Sequence, residues 1–426
     1  MKTLLNFFIE IGKLKGKKRK GMMFYGIKDP ETTAEHTFRV AIVSWILGTL
    51  AELDVERVIK ISLVHDLCEV YAGDITPYDG LLPKNKKERY EFVRKWPHLS
   101  EDDKKKRHLK KLKKEEKSLK KLIQGLPLKE RKEIWNIWWD YEMGKTQEAR
   151  FVRQTDRAEG LIEAFDCWKR DKNFPTKPWW QHAGEVIDAP LVLKFLREIE
   201  IEELRIKKAK KDPLMSKLLS FFSEVGKLKR IARKGWVLRG IKEPETIAEH
   251  TFRAAILAWF LGEKKKGLNI EKLLKIALIH DICEVYAGDT TPYDSILPKD
   301  KKKLKELMKT WPRFSDAEKK KIAEAKRKKE EAALDKLINN LPKDLKQEIK
   351  NLWLDYEKGL TPEGRFFKQA DRIENFLQAL EYWKKHKGLP QKPWWLQVRE
   401  LIDEPVLIEF IEEINKKFHK NIRPKI

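Results

Sequence analysis

The chain has 426 residues, with 92 Lys and Arg against 67 Asp and Glu (net charge +25) and 41% hydrophobic side chains. So much apolar material, 15 Trp and 19 Phe within it, excludes a disordered chain and suffices for two or three domains. Cys68, Cys167 and Cys283 form no CxxC pair, which excludes a disulfide scaffold and the usual zinc ribbon and points to a reducing, cytoplasmic compartment.

In chain order, apolar residues recur at i, i+3 and i+4 over Leu4–Ile11, Thr37–Leu50, Val55–Glu69, Leu119–Ile123 and Ala149–Trp168, predicting helix nearly throughout. Thr32 or Thr33 can N-cap the helix that carries His36, with Glu35 in its first turn. Gly73, followed by Thr76-Pro77, ends the helix that carries His65. Asp79-Gly80 is a turn candidate, but no alternating β-branched runs flank it, so no hairpin is expected. The longest apolar stretches, Ala41 to Leu47 and Ala254 to Leu261, fall far short of the ~20 residues of a membrane span. The opening MKTLLNFFIEIGKLK has the look of an address signal. It recurs from Met215 as MSKLLSFFSEVGKLK, which predicts a structural first helix instead.

That recurrence runs along the whole chain. AEHTFR at 34–39 returns at 248–253, and HDLCEVYAGDITPYDG at 65–80 returns as HDICEVYAGDTTPYDS at 280–295. RFVRQTDRAE at 150–159 matches RFFKQADRIE at 365–374, and KPWW at 177–180 matches 392–395. A period of this length is far beyond the ~20–50 residues of a solenoid repeat, so the chain reads as a domain duplicated in tandem. The domains are 1–212 and 213–426, with the seam in the polar stretch Lys207–Pro213.

Each copy holds the same spaced set of potential metal ligands: His36, the pair His65-Asp66 and Asp156, then His250, the pair His280-Asp281 and Asp371. Imidazole nitrogens and carboxylates suit divalent transition ions, and three or four of them on separate helices leave positions open for water and substrate. Glu69, three and four residues after Asp66 and His65, shares their helical face and stands where a general acid or base is placed. Asp74, just past the terminating glycine, can reach the same mouth. From spacing alone, metal ligands and satisfied core histidines both remain open.

The ordered set H…HD…D, with the strings AEHTFR, HDxCEVYAGDxTPYD and RFVRQTDRAE, resembles the HD-domain superfamily of metal-dependent phosphohydrolases, and within it the 5′-deoxynucleotidase branch. The resemblance implies an all-α fold, two tandem HD-domain helical bundles paired as an intramolecular pseudo-dimer. It implies one divalent ion per domain (Mn, Co or Mg), held by His36, His65, Asp66 and Asp156 in copy one and by His250, His280, Asp281 and Asp371 in copy two. Glu69, Asp74, Glu284 and Asp289 match the family's acidic residues beside the metal, which orient or deprotonate water and protonate the leaving 5′ oxygen. The implied substrate is a deoxynucleoside 5′-monophosphate. A nucleoside triphosphate or signalling nucleotide is the second enzymatic reading, and a nucleic-acid-binding scaffold with non-catalytic HD sites is the competing class.

The copies differ before the first ligand. RKGWVLRGI in copy two carries Trp236 and Arg239 and resembles the family's substrate-side loop, with Trp236 stacking on sugar or base and Arg239 pairing with phosphate. RKGMMFYGI in copy one has Met22 and Tyr25 at those positions. Packing of the loop is the alternative for these residues. Arg39 and Arg253, three residues after the first histidines, read either as phosphate contacts or as structural ion pairs. The run KKKRHLKKLKKEEKSLKK at 104–121 and its weaker counterpart at 317–330 read chiefly as solvated helical faces, nucleic acid being the less favoured partner. The same helices could shape the mouth of the site or attract anionic nucleotides. The tryptophans at 135, 138, 139, 179, 180, 394 and 395 read as packing residues, and Cys68 and Cys283 as buried thiols.

Overall fold

A computed structural model describes the chain apart from residues 77, 96–98, 207–208, 292, 311–313, 387–391 and 419–426. Pro77, and Lys207 with Lys208 at the head of the expected seam, therefore lie outside the described residues. The described part is helical, and its only β-structure is two isolated antiparallel bridges, Lys18 with Thr32 and Ala232 with Thr246. The all-α expectation holds. The chain forms two compact units, one of Phe7–Gly226 and one of Met1–Asn6 with Lys227–Ile426.

Three helices make the centre of the first unit: Thr33–Leu50, Val55–Val64 and Gln147–Arg170, all packed on one another. Thr33–Leu50 is buried on every face from Thr33 to Gly48, apolar through Val40–Val43 and Trp45–Leu47 and carrying Glu35, His36 and Arg39 in its first two turns. Its start is a capping box: the Thr32 hydroxyl accepts from the Glu35 N–H while Glu35 accepts from the Thr32 N–H. Gly48 lies 3.4 Å from Val58 at the position its missing Cβ would take, so the next helix approaches closely there. The second unit repeats the plan with Ile247–Gly262, including its capping box, Ile270–Ile279 and Pro362–Lys385.

One predicted element changes form. Val55–Glu69 is a helix only to Val64, and a separate turn of helix begins at Glu69. Across the intervening residues the bonds tighten to the i→i+3 pattern, with Leu67 N–H on Val64 and Glu69 N–H on Asp66. The His65 Nδ1 takes the Ser62 carbonyl at 2.6 Å, and His280 takes that of Ala277 at 2.8 Å. The tightened turn stacks Asp66 and Glu69 on one side, which is the alignment the site needs.

The compact units are not divided where the sequence repeat is. Helix Pro213–Gly226, the first helix of the second repeat, folds within the first unit. Phe222 meets Phe195 edge-on at 5.6 Å, and the Ser223 hydroxyl donates to Asp166 at 2.8 Å. The Arg39 guanidinium lies so close to Gly226 that a Cβ there would be 2.3 Å from Nη1. Among the described residues no helix is long and apolar enough to cross a membrane.

Candidate metal centre

In the first unit, His36 projects from the first turn of the buried central helix, with its ring fully inaccessible. Its Nε2 lies 3.0 Å from Asp156 Oδ1 and 3.9 Å from Asp66 Oδ2. His65 Nε2 lies 3.3 Å from the same Asp66 oxygen and has no hydrogen-bond partner of its own. Four residues predicted from spacing, His36, His65, Asp66 and Asp156, thus point their donor atoms at one place. The second unit repeats this: His250 Nε2 is 2.9 Å from Asp371 Oδ1, and His280 Nε2 is 3.2 Å from Asp281 Oδ2. Both ring nitrogens there lack an aligned hydrogen bond.

Orphaned nitrogens at a buried position are costly unless something else occupies their lone pairs. The Nδ1 atoms show which lone pairs those are. His65 and His280 donate the Nδ1–H to backbone carbonyls, which leaves the lone pair on Nε2, while His36 and His250 meet Glu159 and Glu374 through Nδ1. Each ring thereby presents Nε2 inward, the arrangement that holds an imidazole on a metal ion. His36, His65 and Asp156 in one unit, and His250, His280 and Asp281 in the other, place one donor atom each within 4.8 Å of one another. A mixed nitrogen and carboxylate set of this size fits a divalent transition ion.

Glu159 is a functional residue that ligand spacing does not reveal. It sits three residues after Asp156 on Gln147–Arg170, followed on the same face by Glu163 and Asp166. Arg39 lies along this stripe with Nε on Glu159 at 2.7 Å, Nη2 on Glu163 at 2.9 Å and Nη1 on Asp166 at 2.8 Å. Arg253 repeats it with Glu374, Gln378 and Glu381. Both guanidinium groups are fully buried. The structure therefore decides against phosphate contact for Arg39 and Arg253. They are structural ion pairs that hold the carboxylate behind the first histidine.

Glu69 and Asp74 line the same cavity as Asp66 and Asp156. Glu69 is buried, accepts the Thr33 hydroxyl at 2.7 Å, and is raised well above the ordinary carboxyl range by burial and by the charges of Asp66 and Asp74. Glu284 is raised in the same way by burial, Asp281 and Asp289. Ile247 stands where Thr33 does, and Glu284 Oε2 has no partner. Asp74 and Asp289 are pinned by the backbone N–H groups of Lys20 and Lys234, each at 2.6 Å. Burial works against the charge of Asp66 and Asp281, but the neighbouring imidazoles and the arginines Arg19 and Arg233 hold both carboxyls well below their usual range. Arg19 reaches Asp66 at 2.9 Å and Arg233 reaches Asp281 at 2.7 Å, positions that sequence reasoning passed over. The β-bridges explain them, since Arg19 N–H bonds Glu31 and Arg233 N–H bonds Glu245, fixing the strand-like segment ahead of each ligand helix.

In the first unit Asp66 and Asp156 line a cavity of about 450 Å³, with His36 and His65 buried behind them. Asp66, Glu69, Asp74 and Asp156 make one wall, and Met22, Tyr25, Val93 and Trp179 an apolar one. Tyr25 and Trp179 touch with ring centroids 4.6 Å apart, so Trp179 is a cavity residue as well as a packing residue. A third wall is basic. Lys104, Arg107, His108 and Lys111 come from one face of helix Glu101–Ile123, so the Lys-rich run is not merely a solvated face.

Trp236 and Arg239 take other roles than base stacking and phosphate pairing. Trp236 is buried, stacked on Trp394 at 5.0 Å, edge-on to Tyr382 at 5.1 Å, and donates its indole N–H to Glu245. Arg239 lies over the Trp394 ring at 5.1 Å, and burial lowers its pKa to about 10. These residues pack the loop. Cys68 and Cys283 are free, buried thiols pushed upward by burial.

Comparison with known proteins gives a consistent picture. The HD domain family matches residues 11–179 and, separately, 225–400. The 5′-deoxynucleotidase HDDC2 of Xenopus laevis is 35% identical over 180 residues, which is 42% of this chain and 74% of that protein. The HDDC2 protein of Homo sapiens, of the same name, is 32% identical over 210 residues, 48% of this chain and 88% of that protein. A solved structure of a conserved hypothetical protein from Pyrococcus furiosus is 31% identical, spans 46% of this chain and 99% of its own, and superposes with a TM-score of 0.35.

Proposed function

The chain belongs to the HD-domain family in both of its halves, and from that premise we propose that it is a metal-dependent phosphohydrolase that removes the 5′-phosphate from deoxynucleoside 5′-monophosphates. The observation that carries the proposal is the convergence of two imidazole Nε2 atoms, each with its Nδ1 already tied, on two carboxylates that line a cavity. The apolar lining of that cavity, with Tyr25 and Trp179, suits a nucleoside. The names of the relatives supply the substrate class.

One divalent ion per half, Mn, Co or Mg, would lower the pKa of its water and offset charge on the phosphate. His36, His65, Asp66 and Asp156 would hold it in the first half, and His250, His280, Asp281 and Asp371 in the second. Glu69 and Glu284, kept protonated by burial and by their acidic neighbours, supply the proton for the leaving 5′ oxygen. Asp74 and Asp289, fixed by backbone N–H groups, orient the attacking water. Pairing of the halves as an intramolecular pseudo-dimer and a cytoplasmic location belong to the same proposal, and rest on the duplication and the free cysteines.

A second reading, a nucleotide with more than one phosphate, is favoured at the first site by Arg107 and His108 in the cavity wall, where the second half has Ile322 and Ala323. The test is phosphate release from a panel of deoxy- and ribonucleotides of one to three phosphates with Mn²⁺, Co²⁺ or Mg²⁺. Loss of release in the Asp66→Ala, Asp281→Ala double variant supports the assignment. Full activity in that variant sinks it, and the single variants apportion the activity between the halves.

A further inference from the structure

The centre has a cation that none of the foregoing uses. Lys111 lines the cavity from helix Glu101–Ile123, and its ammonium interacts across the cavity with Asp66 and Glu142. Lys326 occupies the matching place on helix Asp316–Ile338 and interacts with Glu284, Asp281 and Glu357. The helices differ around these two residues. Arg107, His108 and Leu112 face Ile322, Ala323 and Arg327 in the alignment, whereas Lys111 with Glu115 and Lys326 with Glu330 match.

The pairing geometry separates these lysines from Arg39, Arg19 and Arg157. Arg39 spends its donors on three carboxylates, and Arg19 and Arg157 lie on Asp66 and Asp156, which are ligands. Lys111 is held only loosely, 3.5 Å from Glu115, and Lys326 is 3.3 Å from Glu330. Both exceed the 2.7–2.9 Å of a charge-assisted hydrogen bond. The carboxylates are almost wholly buried, at 3% side-chain exposure in each pair, but the lysines are 38% and 40% exposed. Each glutamate therefore anchors its lysine while leaving that side chain partly exposed, with three donors on its ammonium, and in the first half the side chain lines the cavity. A phosphate dianion entering a site lined by Asp66, Asp74 and Asp156 meets negative charge that one divalent ion only partly offsets. The second cation supplies the remainder.

Resting on the phosphohydrolase reading, we propose that Lys111 and Lys326 bind the non-bridging oxygens of the substrate phosphate, one in each half, with Glu115 and Glu330 as their positioning residues. This gives the Lys-rich helices a common function in both halves: each carries the phosphate clamp that Arg39 and Arg253 do not provide.

The test has two readouts. Lys111→Met in an Asp281→Ala background, and Lys326→Met in an Asp66→Ala background, isolate one site at a time. The expected result is a fall in kcat/KM for a deoxynucleoside monophosphate of about 10- to 100-fold, with Lys111→Arg keeping most of it. The second readout needs no turnover: calorimetric titration of the Mn²⁺-loaded full chain with inorganic phosphate, for which Lys111→Met with Lys326→Met weakens binding about tenfold or more while Mn²⁺ affinity is retained. Where Lys111→Met alone leaves Glu115 unpaired and unfolds the unit, Lys111→Met with Glu115→Gln removes the pair together. Unchanged phosphate affinity and kcat/KM within threefold of the parent overturn the proposal even when Asp66→Ala abolishes turnover. Absence of turnover on every nucleotide, with phosphate binding still lost in the lysine variants, overturns the phosphohydrolase reading and leaves the phosphate site standing.

Discussion

Replacing Arg39 by Met separates a structural guanidinium from a substrate contact. Arg39 is fully buried, and its three hydrogen bonds to Glu159, Glu163 and Asp166 run from 2.7 to 2.9 Å. Met fills much of the same volume and supplies no donor, so two fully buried carboxylates and one nearly buried one lose their counter-charge. Removing one partner of a buried ion pair costs about 3–5 kcal/mol. For a unit the size of Phe7–Gly226, each kcal/mol lowers Tm by about 2–4 °C, so the first unit should melt about 6–20 °C earlier. Because Glu159 also holds His36 Nδ1, metal affinity should fall with stability, by about 10- to 100-fold. Differential scanning calorimetry of the metal-free chain reads the first effect, and Mn²⁺ titration the second. Arg253→Met is an internal control. Gln378 stands where Glu163 does, so one of the groups it strands is a neutral amide and the loss should be smaller. A first-unit Tm within 2 °C of the parent, with KM raised and metal binding intact, would mean that Arg39 meets phosphate after all, and the ion-pair argument would be wrong.

Three further outcomes follow from particular contacts. Gly226→Ala brings a Cβ to 2.3 Å from Arg39 Nη1, whose guanidinium is locked by carboxylates and cannot swing aside. It should destabilise the first unit by about 1–3 kcal/mol and leave the second calorimetric transition in place, although residue 226 belongs to the second repeat. Thr33→Val removes the hydroxyl that favours the charged form of Glu69, so the pH–kcat limb of that group should move to higher pH; Ile247→Thr should move the Glu284 limb lower. Shifts of the same sign in both variants, read from pH–rate profiles of each isolated site, refute the assignment. In the metal-free protein, burial and Arg19 oppose charge on His36, but Glu159 and Asp156 raise it to about 10, and Glu374 and Asp371 raise His250 to about 9. A metal must displace those protons, so apparent Mn²⁺ affinity should climb with pH from 6.5 to 8.5, and titration in buffers of different ionisation enthalpy should show proton release. An affinity flat across that range contradicts the protonated imidazoles.

The histidines and aspartates that converge in each unit were legible in the sequence because their spacing is written twice in this chain. The residues that hold those side chains in place were not, and the reason is physical. Glu159, Glu163 and Asp166 lie on a 24-residue helix rich in charge, and from sequence such a stripe is indistinguishable from a solvated face. Only Arg39, three residues after His36 and buried against them, turns the stripe inward. The helical periodicity over Val55–Glu69 was real, yet periodicity cannot show a change from i→i+4 to i→i+3 bonding at His65–Cys68, because four residues are too few to shift the pattern. The Lys-rich run concealed its role for the opposite reason. Eleven basic side chains in eighteen positions made any one of them look like solubility charge, and only the cavity singles out Lys104, Arg107 and Lys111. The place of helix Pro213–Gly226 was not legible at all, since a repeat boundary records how the chain was duplicated and says nothing about which unit a helix folds with.

The two halves share their ligands and differ in what surrounds them, and the differences fall on the chemistry rather than on the core. Glu69 has a hydroxyl partner, whereas Glu284 Oε2 has none. In the first half the loop before the ligand helix puts Met22 and Tyr25 into the cavity wall; in the second, Trp236 and Arg239 at those positions pack on Trp394. The basic wall changes in the same direction, from Arg107 and His108 to Ile322 and Ala323. Drift that had merely relaxed one copy would be expected to touch the ligands, their carboxylate supports or the Lys–Glu pairs as readily as these positions. All three sets stand in both halves, so two active centres with different surroundings are expected rather than one enzyme and its remnant. Kinetics of the two single-site variants, Asp66→Ala and Asp281→Ala, should accordingly give different nucleotide preferences and different pH optima. Identical profiles at half the parental rate would mean that the surrounding substitutions are silent.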